Sequence, residues 1–200
     1  MKRLSLARIW TPGTYNWLAR YYDRLSVIFS PEIGHQTILG GIGPGSILDV
    51  GCGTGSLLEL ANRQGMECYG LDTSPGMLAQ ARSKVPDAHL LLGSFYEIPF
   101  SADSFDTVVE TNALGGVHLD AGQGISEMLR VCKAGGEVRL VDYAIPPKMT
   151  WGHRLLIWIG SIIGDYPVDF RAIFQSHGLN PQGRTLGGYG MYQFLIAQNV

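Results

Sequence analysis

Three glycines in five positions, Gly51, Gly53 and Gly55, follow a short apolar run in ILDVGCGTGSLLEL, residues 47–60. Glycine weakens regular structure, so its place at a strand end implies a tight turn or a close approach to the backbone. Three details restrict what approaches. No lysine follows Gly55, where Ser56-Leu57-Leu58 stands, so this is not a nucleoside-triphosphate loop. The third glycine of a dinucleotide fingerprint would fall at Ser56, and the spacing here is G-x-G-x-G instead. Asp49, just before the loop, repels a pyrophosphate and attracts a cationic or amine-bearing group. A second acid, Asp72, ends the next apolar run, ECYGLD (67–72), where a carboxylate can accept hydrogen bonds from ribose hydroxyls. Helix capping is the competing reading of Asp72.

The elements that must hold these residues are legible as alternating patterns. SILDV (46–50), ECYGLD (67–72), HLLLG (89–93), FDTVVET (105–111) and GEVRLVDY (136–143) are apolar on both faces, as in parallel strands covered by helices. Between them GSLLELANRQG (55–65), SPGMLAQARSK (74–84) and AGQGISEMLRVCKAGG (121–136) have helical periodicity. Ser74 and Pro75 suit a helix start, and Gly65 suits a helix end. The alternation predicts an α/β fold with a doubly wound, mostly parallel sheet and helices on both faces. Residues 14–40 read as helices before the first strand, broken at Ser30-Pro31. Residues 168–179 read as a helix and 190–198 as a closing strand.

Composition excludes several classes. The 200 residues are 46% hydrophobic and 16% charged, with a net charge of −2, which is globular and offers no general attraction for nucleic acid. Three scattered cysteines, Cys52, Cys68 and Cys132, fit reduced thiols rather than a disulfide framework, and no metal site is expected. The N-terminal stretch lacks the uninterrupted apolar core of a signal peptide. The most apolar run, LLIWIGSII (155–163), is too short to cross a hydrocarbon core that needs about twenty residues. The expected location is the cytoplasm, with peripheral contact at a membrane surface as an extension of it.

LDVGCGTGSLLE, YGLDTSPGMLAQAR, IPFSADSFDTVVET and MLRVCKAGGEVRLVD, in that order, resemble the motifs of class I S-adenosylmethionine-dependent methyltransferases, across about residues 40–143 and more weakly 168–198. The resemblance implies a single Rossmann-like domain: an N-terminal helical cap or lid (1–40), a cofactor-binding core (41–143), an apolar helical insert (144–166) and a C-terminal helix with closing strands (167–200). It implies S-adenosylmethionine as cofactor and S-adenosylhomocysteine as product. Asp49 would hold the methionine amino group, Gly51, Cys52, Gly53 and Gly55 would form the loop, and Asp72 would grip the ribose hydroxyls. Thr73 and Met77 would flank the adenine, Ser94 and Phe95 would stand where relatives carry an adenine-binding Asp, and Thr111 and Asn112 would lie beside the sulfonium. Gly115-Gly116 departs from the polar residues that many relatives have there. Tyr22-Asp23 matches a Tyr-Asp pair of the lid helix.

Methyl transfer asks mainly for positioning, and for a base only when the acceptor carries a proton that must leave. His118 is the foremost candidate base, with Tyr22 as an aromatic face for a cation. Asp120, Tyr143 and His153 are further candidate bases. Within the insert, Trp151, Leu155, Leu156, Trp158, Ile159, Ile162 and Ile163 are apolar nearly all round one short helix, with Arg154 beside them. That predicts a lid over a small hydrophobic acceptor or a membrane-facing surface; a buried helix is the alternative. The resemblance is nearest to the ubiquinone/menaquinone C-methyltransferases. A phospholipid N-methyltransferase is the rival enzyme, and a non-catalytic S-adenosylmethionine-binding protein is the rival from another class.

Overall fold

The computed structural model describes residues 11–29, 32–115, 120–146, 148–163, 167–187 and 191–200. Helices α1 (Pro12–Phe29) and α2 (Glu32–Leu39) precede the first strand. Then β1 (Ser46–Val50), α3 (Ser56–Arg63), β2 (Glu67–Asp72), α4 (Pro75–Lys84) and β3 (His89–Leu92) alternate. The second half runs β4 (Phe105–Thr111), α5 (Ala121–Val131), β5 (Cys132–Tyr143), α6 (Trp151–Ile163), α7 (Phe170–Ser176), β6 (Gln182–Gly187) and β7 (Tyr192–Gln198).

Seven strands form one sheet in the order β3-β2-β1-β4-β5-β7-β6. Strands β1 to β5 are parallel, and β7 inserts antiparallel between β5 and β6. The chain winds outward from β1 to β3, then returns to β4 on the other side of β1. This reversal opens a crevice beyond the carboxyl ends of β1 and β4, the usual place for a ligand in such sheets.

Alternation along the central strands supplies two apolar layers. Ile47, Val109 and Val141 face α2 and α3 through Ile38, Leu39, Leu57, Leu58 and Ala61. Leu48, Val108 and Leu140 face α5 and α7 through Ile125, Met128, Phe170 and Phe174. Arg139 is buried on the first face because the end of α2 requires it: its Nη1 donates to the carbonyls of Ile38 (2.8 Å) and Gly40 (2.7 Å). Ser74 caps α4, its Oγ accepting from the Met77 N–H at 3.2 Å, with Pro75 at the first helical position.

Two expectations need correction. The helix expected over 121–136 stops at Val131, and β5 starts at Cys132, which already pairs with Phe105. Gly135 takes a φ of +79°, a left-handed conformation that ends helical propagation, and a register shift between Phe105 and Thr107 absorbs the extra residues. The edge strand β6, QGRTLG, is not legible because polar residues and glycines give it no alternation. The cysteines are free and buried, and burial pushes Cys52 up, Cys68 up to about 11 and Cys132 up to about 12. Among the described residues no helix is long and apolar enough to cross a membrane.

Candidate functional site

The glycine loop leaves β1 at Val50 and enters α3 at Ser56. Gly51 has a φ of +79°, and a Cβ there would run into that of Ala113, so the loop after β4 sits directly on this turn. Gly53 also has a left-handed φ, +51°, but a Cβ there would meet nothing within 4 Å. The first glycine is therefore demanded by packing, whereas the second borders open space at the crevice. Gly55, also left-handed, starts α3.

Two acids flank this loop in different states. Asp72, at the tip of β2, accepts from the Gly53 N–H through Oδ2 and from the Ser74 N–H through Oδ1, both at 2.8 Å. Burial raises its carboxyl above the ordinary range against the pull of these backbone bonds. Asp49 is 1% exposed, and its Oδ1 has no hydrogen-bond partner. Burial first, and the Asp72 charge second, push it up to about 8. A buried acceptor without a donor is costly, and a ligand ammonium supplies both a proton donor and a countercharge. Asp49 thus fits an amine-bearing ligand seated on the glycine loop.

Helix α1 spans the loop and α4. Asn16 Oδ1 accepts from the Gly76 N–H (2.6 Å) and the Ser74 hydroxyl (2.8 Å), and a Cβ on Gly76 would stand 3.0 Å from the Asn16 backbone. Asp23 pairs with Lys84 at 2.6 Å and accepts from the Thr54 hydroxyl at 2.5 Å, while Lys84 also reaches Ser56 Oγ at 2.9 Å. Burial works to raise Asp23, but Lys84 and Thr54 outweigh it and hold its carboxyl below the usual range. Tyr22 is raised by burial, then by the charges of Asp72 and Asp23, which places its phenol near the tip of β2.

The other expected residues divide. Thr73 is exposed, and Met77 is buried in the first turn of α4. Cys52 packs its thiol into the space left by Gly70, and its N–H donates to the Leu71 carbonyl at 3.0 Å. Ser94 adjoins Asp72, since the Gly93 N–H donates to the Asp72 carbonyl at 3.0 Å, and its hydroxyl accepts from Tyr96 N–H. The Phe95 ring packs against α5, 3.0 Å from the point where Gly124 would carry a Cβ. Thr111 and Asn112 end β4 beside the glycine turn, Asn112 with a left-handed φ of 56°. Asp120 caps α5 through the Gln123 N–H, Tyr143 donates to Met191 Sδ at 3.5 Å, and His153 Nδ1 accepts from the N–H of Thr150, the residue before α6. His118 lies outside the described residues.

Glu110 and Asp142, which sequence reading does not single out, are buried at the carboxyl ends of β4 and β5. The available signal is an acid inside each of two apolar strands, FDTVVET and GEVRLVDY. At the opposite edge of the sheet a cavity of about 650 Å³ is lined by Ser46, Glu67, Tyr69, Phe100, Asp106 and Lys133. Its polar groups satisfy one another, Tyr69 with Glu67 and Asp106 with Ser46 and Lys133, so nothing there awaits a ligand. On α6, Trp151 is 81% and Trp158 62% exposed, with Leu155 and Leu156 also exposed; this does not fit a buried helix.

The family model described as a methyltransferase domain matches residues 48–140. A demethylmenaquinone methyltransferase of Beutenbergia cavernae is 33% identical over 142 residues, 68% of this chain and 58% of that protein. A ubiquinone/menaquinone biosynthesis C-methyltransferase of Geobacter sulfurreducens is 36% identical over 111 residues, 51% of this chain and 43% of the other. The chain thus spans about half the length of the curated relatives it matches. Among solved structures, a SAM-dependent methyltransferase of Thermotoga maritima aligns with a TM-score of 0.72 at 15% identity, over 93% of this chain and 98% of that one. A geranyl diphosphate methyltransferase, solved with GPP and sinefungin, aligns with a TM-score of 0.69 at 16% identity, over 97% and 86%. At these identities the structural likeness is one of fold.

Proposed function

The chain belongs to the class I S-adenosylmethionine-dependent methyltransferases and resembles their ubiquinone/menaquinone group, and from that premise we propose that it transfers a methyl group to a small hydrophobic acceptor. The observation that carries the cofactor assignment is the partnerless Asp49 Oδ1, buried beside a glycine loop with no phosphate-binding lysine. When bound, S-adenosylmethionine supplies a methyl group on a sulfonium, open to in-line attack. The chain's residues bind and orient. Asp49 receives the methionine ammonium. The loop from Gly51 to Gly55 is held in place by its own bonds, Gly51 and Cys52 N–H to the Leu71 carbonyl and Gly53 N–H to Asp72. It presents a surface without side chains at Gly53, while Asp72 would accept from the ribose hydroxyls and keep its bonds to Gly53 and Ser74. Thr73, Met77, Ser94 and Phe95 would bound the adenine, and Thr111 and Asn112 would stand on the side of the sulfur. Helix α1 would cap this core, excluding water and bringing the aromatic face of Tyr22 toward the cation.

The acceptor reading rests on the relatives named for quinone methylation and on the exposed apolar face of α6 within the insert 144–166. Tryptophans at such exposure suit the boundary of a lipid surface, where their rings and the exposed Arg154 would meet headgroups. The same face favours a phospholipid N-methyltransferase as the second reading. The deciding experiment is transfer of labelled methyl from S-adenosylmethionine into a host-cell extract, partitioned between organic and aqueous phases. Label in the organic phase, on a quinone by mass spectrometry, is the expected result. Label on a phospholipid amine would select the second reading, and label confined to aqueous metabolites would overturn the lipophilic acceptor. Cofactor binding without transfer to any fraction would favour a non-catalytic binder.

A further inference from the structure

We propose that Glu110 and Asp142 are a proton-sharing carboxyl pair that positions the loop after β4 against the methyl-transfer site. Glu110 Oε1 accepts from the backbone N–H groups of Ala113 and, at 3.1 Å, Leu114. Asp142 Oδ2 accepts from the same Leu114 N–H at 3.1 Å and from Gly115 N–H at 2.7 Å. One backbone proton therefore points between two carboxyl groups, both of them buried. The strand register brings them together, since Glu110 is opposite Leu140 and Thr111 opposite Val141, one residue before Asp142. Glu110 Oε2 meets no N–H or O–H donor, and the Asp142 carboxyl lies against the Glu110 side chain. Two carboxylates in contact away from water cannot both be ionised, so the pair holds one proton between its members. Burial, and then the charge of Asp142, accordingly push Glu110 well above its ordinary 4.5.

This pair fixes three consecutive N–H groups, those of residues 113 to 115, in the segment that Ala113 seats on the Gly51 turn. It also accounts for Gly115: a Cβ there would stand 2.7 Å from Asp142 Oδ1. The charged groups on the elements packed against this corner have bonds of their own. Asp120 caps α5, Glu127 and Arg130 pair farther along it, Asp169 caps α7, and Arg171 donates to the Pro181 carbonyl. Asp49 stands on the neighbouring β1, one residue before Val50, which pairs with Glu110. None of these groups is hydrogen-bonded to Glu110, whose side chain lies against Asp142. Loss of the shared proton at alkaline pH places two negative charges in one buried contact and loosens the loop.

The effect on catalysis rests on the methyltransferase reading, whereas the geometry does not, and the test separates them. Residue-resolved amide exchange, corrected for intrinsic rates, is measured for Ala113, Leu114 and Gly115 from about pH 6 to about pH 10 in the parent, Glu110→Gln and Asp142→Asn. In the parent, protection at these amides falls about tenfold per pH unit above the pair's titration, while that of the β4 amides holds. Either amide variant keeps an acceptor, supplies a permanent donor and removes the titration, so its protection is flat with pH. In methyl transfer, the alkaline loss of kcat seen in the parent is absent in Glu110→Gln, with little change in KM for S-adenosylmethionine. Parent protection that is level across this range, or an alkaline loss that persists in both variants, would overturn the pair. Absence of methyl transfer with the protection pattern intact would instead count against the enzymatic reading.

Discussion

Replacing Asp49 with asparagine is predicted to stabilise the empty protein and to weaken its hold on S-adenosylmethionine. The Asp49 carboxyl stands at about 8 in the fold against an ordinary 3.8, through burial first and the charge of Asp72 second. Between these two values the folded chain keeps a proton that the unfolded chain has released. Stability is therefore fully present below about pH 4 and is lost progressively as pH rises to about 8. Roughly three pH units separate the unfolded value from neutrality, and at about 1.4 kcal/mol each they cost the empty site about 4 kcal/mol at pH 7. The asparagine would bring a buried amide that needs partners of its own, a penalty of about 1–3 kcal/mol. The expected net gain for Asp49→Asn is thus about 1–3 kcal/mol at pH 7, falling to zero between about pH 4.5 and pH 6 and turning into a loss of about 1–3 kcal/mol near pH 4, measured by urea unfolding across a pH series. Ligand binding tests the same proton. Asp49 must lose it to receive an ammonium, so calorimetry in buffers of different ionisation enthalpy should count about 0.9 more protons released per ligand at pH 7 than in the variant. The ligand's own amino group titrates in this range, and the comparison of parent with variant cancels it. A variant less stable than the parent at every pH would refute the reasoning, as would equal proton release from both.

Gly51→Ala is expected to cost about 2–4 kcal/mol in urea unfolding, combining a left-handed alanine with overpacking against Ala113; a loss below about 1 kcal/mol would mean that the loop after β4 moves freely away from the turn. Asp72→Ala is expected to abolish the rise in thermal stability on adding S-adenosylmethionine, while lost bonds to Gly53 and Ser74 lower the stability of the empty protein by only about 1–2 kcal/mol. An undiminished thermal shift would remove Asp72 from the site.

The alternation of buried strands with helices and the glycine loop was legible because both obey short-range rules. Apolar runs at β1, β2 and β4 sit where periodicity puts them, and Ser74-Pro75 starts α4 as its chemistry requires. What escaped reading depends on contacts between distant segments. The end of α5 is set by the pairing of Cys132 with Phe105, not by helix propensity. Strand β6 exists because β7 offers it an edge, and its own residues carry no pattern. Asp49 and Asp72 could be recognised from their place beside the loop, but Glu110 and Asp142 belong to strands that come together only in the sheet. The Asn16 and Asp23 anchors of α1 likewise join residues about sixty and thirty positions apart.

The four acids at the carboxyl edge of the sheet do different work, and hydrogen bonding separates them. Asp72 spends its oxygens on the N–H groups of Gly53 and Ser74, Glu110 on those of Ala113 and Leu114, and Asp142 on those of Leu114, Gly115 and Tyr143. Each of these three acids ties a loop to a strand end, and the two loops meet where Ala113 covers Gly51. Asp49 ties nothing. Its Oδ1, on β1 two residues before Gly51, remains without a donor. A fold that needed the acid only for stability would retain no such group, since its burial is unfavourable and an uncharged residue would serve better. On the proposed function that cost is recovered when a cationic partner arrives, which makes Asp49 the proposed starting point of ligand recognition within the frame that the loop-holding acids fix.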